Sequence, residues 1–149
     1  MSEPLPIAVL VSGAGTNLQA LLDSVHGREA EIVAVASSTA EAPALARAES
    51  RGVPHAVFAR AHYPDREARD LALGEWLAEQ AARLIVLAGY MELLTPQFLA
   101  RFPRAVINVH PSLLPAFPGL GAIEQALAYG VKVFGVTVHF VDEAWTPDR

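Results

Sequence analysis

The sequence predicts an α/β fold, a mostly parallel open sheet with helices on both faces. Three observations lead there. Four short runs rich in branched aliphatic residues are nearly continuous rather than alternating, as strands covered on both faces should be. Helix-compatible stretches separate them, so strand and helix alternate along the chain. A late stretch alternates instead, which fits an edge strand of a mixed sheet.

The first strand is expected at Ile7–Val11 (IAVLV), leading through a glycine turn into a helix at Asn17–Val25. Ile32–Ser37 (IVAVAS) is the second strand, followed by an alanine-rich helix over Glu41–Arg51 that Gly52 ends. A weak strand fits Ala56–Phe58. The longest helix falls within Tyr63–Ala82, with Leu71, Leu77 and Ala81 expected to face inward. Leu84–Ala88 (LIVLA) and Ala105–Val109 (AVINV) are further buried strands, with a short helix at Pro96–Phe102 between them. A last helix is read at Ile123–Tyr129, closed by Gly130. In Val133–Val141 (VFGVTVHFV), Val136, Val138 and Phe140 alternate with Thr137 and His139, so one face of that strand should be the more exposed.

Composition bounds the function. The 149 residues suit one domain, 1–149, with a real core, and 52% hydrophobic against 18% charged residues excludes a disordered tail. A net charge of -5 without charge blocks argues against nucleic acid as a partner and leaves small anionic ligands open. No run approaches the roughly 18 apolar residues that a membrane span needs, and the start lacks a signal-peptide pattern, so a cytoplasmic protein is expected. The absence of cysteine removes disulfides and thiolate chemistry. No HExxH or comparable spacing points to a metal. Composition leaves a homodimer open.

Two stretches carry chemistry. In SGAGTN, Ser12 to Asn17, Gly13 and Gly15 let a ligand approach the main chain, and Thr16 and Asn17 fall where a helix starts. This is a candidate phosphate cradle. Leu18 rules out GxGxxG, and the missing GK[ST] rules out a P-loop. The plainer alternative is an ordinary strand–helix turn capped by Asn17. In INVHPSLLPAFPG, Ile107 to Gly119, Asn108 and His110 are two apart at a strand mouth and share one side, in front of a loop stiffened by Pro111, Pro115 and Pro118. An amide N–H can stabilise an oxygen that becomes negative, and an imidazole can move a proton near neutral pH. Alternatively, Asn108 ties down a turn and His110 is structural. An acidic third member is sought in Asp142, Glu143 and Asp148, while His139, His26, His55 and His62 read as structural or exposed.

With these motifs in hand, SGAGTN, LAGYMELL and INVHPSLLPAFPG together resemble the folate-dependent glycinamide ribonucleotide formyltransferases of purine synthesis, over essentially the whole chain. The resemblance implies a Rossmann-like formyltransferase fold. It also implies transfer of a formyl group from 10-formyltetrahydrofolate to the amine of the ribonucleotide, with small-molecule substrates and no metal. Gly13, Gly15, Thr16 and Asn17 would hold the phosphate. Arg66, Met91, Glu92, Leu93, Leu94 and Asn108 would line the folate site, and Asn108, His110 and Asp148 would be catalytic. Two positions depart from the family pattern. The loop DEAWTPDR places Thr146 at the spacing of the family's aspartate in DExxDxGP, so Asp148 serves only if the loop is two residues longer. Glu92 stands where a basic residue is common, which matters little if it faces solvent. Family members also continue further, so the chain is expected to lack C-terminal sheet elements, expose an apolar edge and be poorly soluble. A 10-formyltetrahydrofolate hydrolase and a non-catalytic folate- or nucleotide-binding protein are the rival readings.

Overall fold

The computed structural model describes residues 3–142. Along the chain the elements are β1 (Leu5–Val11), α1 (Thr16–Ser24), β2 (Ala30–Ser37), α2 (Ala44–Ser50), β3 (His55–Val57), α3 (Arg66–Glu79), β4 (Leu84–Leu87), α4 (Pro96–Arg101), β5 (Val106–His110), α5 (Ala122–Tyr129) and β6 (Thr137–Phe140), with a single 3-10 turn at Arg60–His62. The strands form one sheet in the order β3-β2-β1-β4-β5-β6. All neighbours run parallel except β6, which is antiparallel to β5. The predicted mixed sheet with an antiparallel edge is therefore present.

Ala8, Val9, Leu10 and Val11 of the central β1 are completely buried, which explains its continuous rather than alternating hydrophobicity. One core, built on Ala8, Leu10, Ile85, Leu87 and Val106, packs against α3 and α4 through Leu73, Leu77, Phe98 and Phe102. The other, built on Ile7, Val9, Val11, Ile32 and Val86, receives Leu18 and Leu22 of α1 and Ala44 and Ala48 of α2. β2 carries a bulge: Ile7 pairs with Ile32 but Ala8 with Ala34, which leaves Val33 as the extra residue.

Three expectations are corrected. The alanine-rich helix starts at Ala44 rather than Glu41, because Pro43 disfavours helical geometry at Ala42. The long helix, Arg66–Glu79, lies within the expected Tyr63–Ala82, capped by Asp65, which accepts from the Ala68 N–H at 2.8 Å, but its inward positions differ from those expected. Its inward face carries Arg69, Asp70, Leu73, Gly74 and Leu77. Leu77 was expected there, but Leu71 is 60% exposed, one position off that stripe, and Ala81 lies beyond the helix with φ 60. The late strand is shorter than read, and its apolar side is the open one: Val138 and Phe140 are 60% and 62% exposed, while Thr137 and His139 are half-buried. These two polar residues face inward because each has a partner on β5 or its loop, described below.

Candidate active site

The chain runs outward from β1 to β2 and β3 on one side, then returns to place β4 against the other side of β1. Between β1 and β4 lies the topological switch point, where open α/β sheets leave a crevice beyond their carboxyl ends. The loops after β1, β4 and β5 leave from this edge side by side, and the predicted site residues other than Arg66 and the acidic tail lie in them, in the first turn of α1 or at the end of β5. A single hydroxyl joins the first two: Ser12 Oγ accepts from the Met91 N–H at 2.8 Å and shares a 2.6 Å hydrogen bond with Ser38 Oγ.

In the glycine turn, Gly15 is the residue before α1, left-handed at φ 79, and no side chain caps the helix. Asn17 is therefore not a cap; it and Thr16 are exposed in the first turn, where backbone N–H groups have no helical acceptor. Gly15 is required twice over, by its φ and because a Cβ there would meet Ala44 Cβ at 2.5 Å. A Cβ on Gly13 would meet nothing within 4 Å, so that side of the turn is open. α2 braces the turn, with the Ala44 N–H donating to the Gly13 carbonyl at 3.1 Å and Arg47 Nε donating to the Ala14 carbonyl at 2.7 Å. Arg47 thus brings a cation to the turn. Sequence reasoning missed it, since nothing in an alanine-rich helix 33 residues away marks it out.

The loop after β4 exposes Met91 and Leu93, while Glu92 and Leu94 are half-buried. Glu92 does not simply face solvent: its Oε2 lies 3.3 Å from Nη1 of Arg69, a guanidinium with 0% side-chain exposure. Arg69 also donates from Nε to Asp70 Oδ1 at 2.9 Å and from Nη2 to the Leu93 carbonyl at 3.2 Å. Asp70 Oδ2 accepts from the Thr95 N–H at 2.7 Å. Burial pushes the Arg69 pKa down, but the oxygens of Tyr90, Asp70 and Glu92 outweigh it and the net direction is up. Arg66 sits in the first turn of α3, half-buried, with no hydrogen bond or ion pair among the described residues.

Asn108 and His110 occupy alternate positions of β5, on the face that Val106 contributes to the core. Neither is simply a turn residue. Asn108 pairs across the sheet with His139, and its amide Nδ2 lies 3.4 Å from His139 Nε2. His139 Nδ1 is 3.2 Å from the Phe140 carbonyl, so the arrangement in which Nδ1 donates and Nε2 accepts satisfies both contacts. One amide N–H of Asn108 remains for another acceptor. His110, only 6% exposed, places Nε2 2.8 Å from the Phe117 carbonyl. Thr137 fastens the loop in between, accepting from the Leu114 N–H at 3.0 Å and donating to the Ser112 carbonyl at 2.7 Å. Ser112 donates to the Ala116 carbonyl at 2.5 Å. His139, Thr137 and Ser112 therefore support the two polar residues, a role visible only once β6 is paired with β5. Of the acidic candidates, Asp142 lies exposed just past β6, and Glu143 and Asp148 lie outside the described residues. Among the described residues no group of three or more His, Cys, Asp or Glu could hold a metal, and no helix is long and apolar enough to cross a membrane.

A glycine turn, a partly apolar loop and an Asn–x–His strand end gathered at the switch point define an open α/β protein of the Rossmann-like class with its site beyond the strands' carboxyl ends. The chain belongs to the formyl transferase family, whose profile matches residues 5–145. It is 46% identical over 139 residues to the phosphoribosylglycinamide formyltransferase of Haemophilus influenzae, covering 92% of this chain and 66% of that protein. It is 45% identical over 139 residues to the trifunctional purine biosynthetic protein adenosine-3 of Bos taurus, covering 92% of this chain and 14% of the other. Glycinamide ribonucleotide transformylase 1 from Symbiobacterium toebii superposes with a TM-score of 0.90 at 48% identity, over 95% of this chain and 68% of its own. This chain therefore spans about two thirds of the length of the single-function bacterial proteins it matches, 66% for Haemophilus influenzae.

Proposed function

We propose that the chain carries the formyl-transfer half-site of a phosphoribosylglycinamide formyltransferase, with 10-formyltetrahydrofolate as donor and the glycinamide amine of the ribonucleotide as acceptor. The observation that carries the reading is the placement of Asn108 and His110 on one face of β5, beside the loop after β4 and across the switch point from the glycine turn. Exposed Met91 and Leu93 offer apolar surface that fits a flat heterocycle, and the half-buried Glu92 and Leu94 alternate with them along the loop. The folate supplies the activated formyl group. Arg66 lies on a different element and belongs to this half of the site only through family resemblance.

In this scheme the uncapped N–H groups at Gly15, Thr16 and Asn17 receive the phosphate, with Gly13 leaving the approach open. The free amide N–H of Asn108 donates to the formyl oxygen as the amine adds and that oxygen gains charge. His110, anchored at Nε2 by Phe117, directs its other ring nitrogen to the same centre and donates there in its charged form. The new bond joins the amine nitrogen to the formyl carbon, the bond from that carbon to the donor nitrogen breaks, and the proton lost by the amine ends on the donor nitrogen. Asp148 is the proposed partner of His110 in that proton movement. The scheme uses no metal and takes place in the cytoplasm.

The test is formyl transfer to glycinamide ribonucleotide, with formate release in its absence as the control. Asn108→Ala and His110→Ala should each lower transfer by about 100-fold or more. Near-normal turnover by either variant would falsify the assignment. Formate release that is equally fast without the ribonucleotide would support the hydrolase instead, which needs no phosphate cradle.

A further inference from the structure

We propose that Arg69 is a positioning residue for the folate half of the site, its buried guanidinium setting the course of the backbone from Glu92 to Thr95. The inference rests on the reading of that loop as folate-binding and adds a residue that lies beneath it rather than in it. Two consecutive residues of α3 hold three of four successive loop residues: Arg69 takes the Glu92 carboxylate and the Leu93 carbonyl, and Asp70 takes the Thr95 N–H. From the loop after β1, Ser12 holds the Met91 N–H. The loop is thus held by two separate segments, α3 and the turn after β1, with the side chains of Met91 and Leu93 left exposed.

The energetics favour positioning over simple stability. A buried ion pair contributes little against a well-packed apolar residue of the same volume, because both charges must be stripped of water. What an apolar residue cannot supply is a planar fork with fixed directions to three acceptors, and the flexible ammonium of lysine cannot supply it either. The fork is not saturated. Arg69 Nη1 and Tyr90 Oη are buried without a hydrogen bond among the described residues, so the Nη1 contact with Glu92 is an ion pair rather than a formed hydrogen bond. Such a cluster holds a loop by direction and charge together, and loses both when one member goes.

The experiment compares the parent with Arg69→Met, Arg69→Lys, Glu92→Gln and the Arg69→Met/Glu92→Gln pair. It reads dissociation constants for 10-formyltetrahydrofolate and for the ribonucleotide, and amide exchange over residues 91–95. Arg69→Met should weaken folate binding about tenfold, leave the ribonucleotide within about twofold, and speed exchange at residues 92–95. Arg69→Lys should recover only part of the loss. Adding Glu92→Gln to Arg69→Met should change little, since the partner is already gone. A folded Arg69→Met protein with parental exchange at 92–95 and unchanged folate affinity would overturn the proposal. Should that variant fail to fold, Glu92→Gln decides on the same two readouts, with parental values again counting against it. A parent that binds no folate defeats the functional reading and the folate role with it, while the exchange comparison still decides whether Arg69 positions the loop.

Discussion

Tyr90 buries a hydroxyl that no described residue hydrogen-bonds. Burial pushes its pKa up from the ordinary 10.0; Arg69 pulls the other way, while Asp70 and Glu92 add to the rise. The folded protein therefore holds this proton more tightly than the unfolded chain does. The stability linked to it is complete below the ordinary tyrosine range and falls as pH climbs above about 10. Tyr90→Phe removes the unpaired hydroxyl, so it should leave neutral-pH stability unchanged or raise it by about 1 kcal/mol. It should also flatten the alkaline decline, measured by denaturant melts across pH. A clear loss of neutral-pH stability in the variant would show that the hydroxyl has a stabilising partner. At this scale the sequence was legible where chemistry follows a short period. Asn108 and His110 are two apart on a strand, so their shared face could be read directly. Arg69 was invisible as a site residue because its partners Glu92 and Leu93 are more than twenty positions away and no local pattern links them. Arg47 beside the glycine turn was hidden for the same reason.

β6 is the element with the most consequence for the site. Thr137 spans two backbone groups of the 112–114 turn, and His139 reaches Asn108. Thr137→Val keeps the shape and removes both hydrogen bonds, leaving a backbone N–H and a carbonyl unpaired. It should cost about 1–3 kcal/mol. Through the loosened His110 loop it should lower kcat more than it raises either KM. An unchanged kcat with normal thermal stability would mean that the loop is held by its prolines alone. Strands β1, β2, β4 and β5 were legible to within two residues at either end, since buried parallel strands announce themselves by continuous aliphatic runs. The start of α2 was less so. Pro43 and Asp65 decided where α2 and α3 begin, and both act through backbone geometry and capping rather than through hydrophobic period. That one face of β6 is the more exposed was legible from its alternation, but which face was not, because its inward positions carry polar residues with partners on β5 or its loop.

For the molecule as a whole, the parallel order was predictable as a class, but the return from β3 to β4 beside β1 became visible only in three dimensions. That return creates the crevice, and so decides which loops meet. At the far edge, β6 is paired on one side only among the described residues, and Val138 and Phe140 stand exposed on it, with Val136 exposed just before it. Leu127 and Tyr129 of α5 are exposed as well, at 76% and 80%. An apolar strand edge of this kind pairs readily with other chains. The chain should therefore self-associate at modest concentration, and Val138→Lys with Phe140→Lys should shift light scattering toward monomer. A parent that is monodisperse under the same conditions would contradict this.

The bulge in β2 has a consequence for how the gene can change in length. Losing or gaining one codon inside a buried strand normally exchanges inside for outside over the rest of that strand. Val33 is the surplus residue between Ile32, which packs on one core, and Ala34, which packs on the other. Removing it would leave Ile32 and Ala34 adjacent and still on opposite faces. Position 33 is thus the place in this strand where a one-residue deletion keeps every remaining side chain on its own side of the sheet.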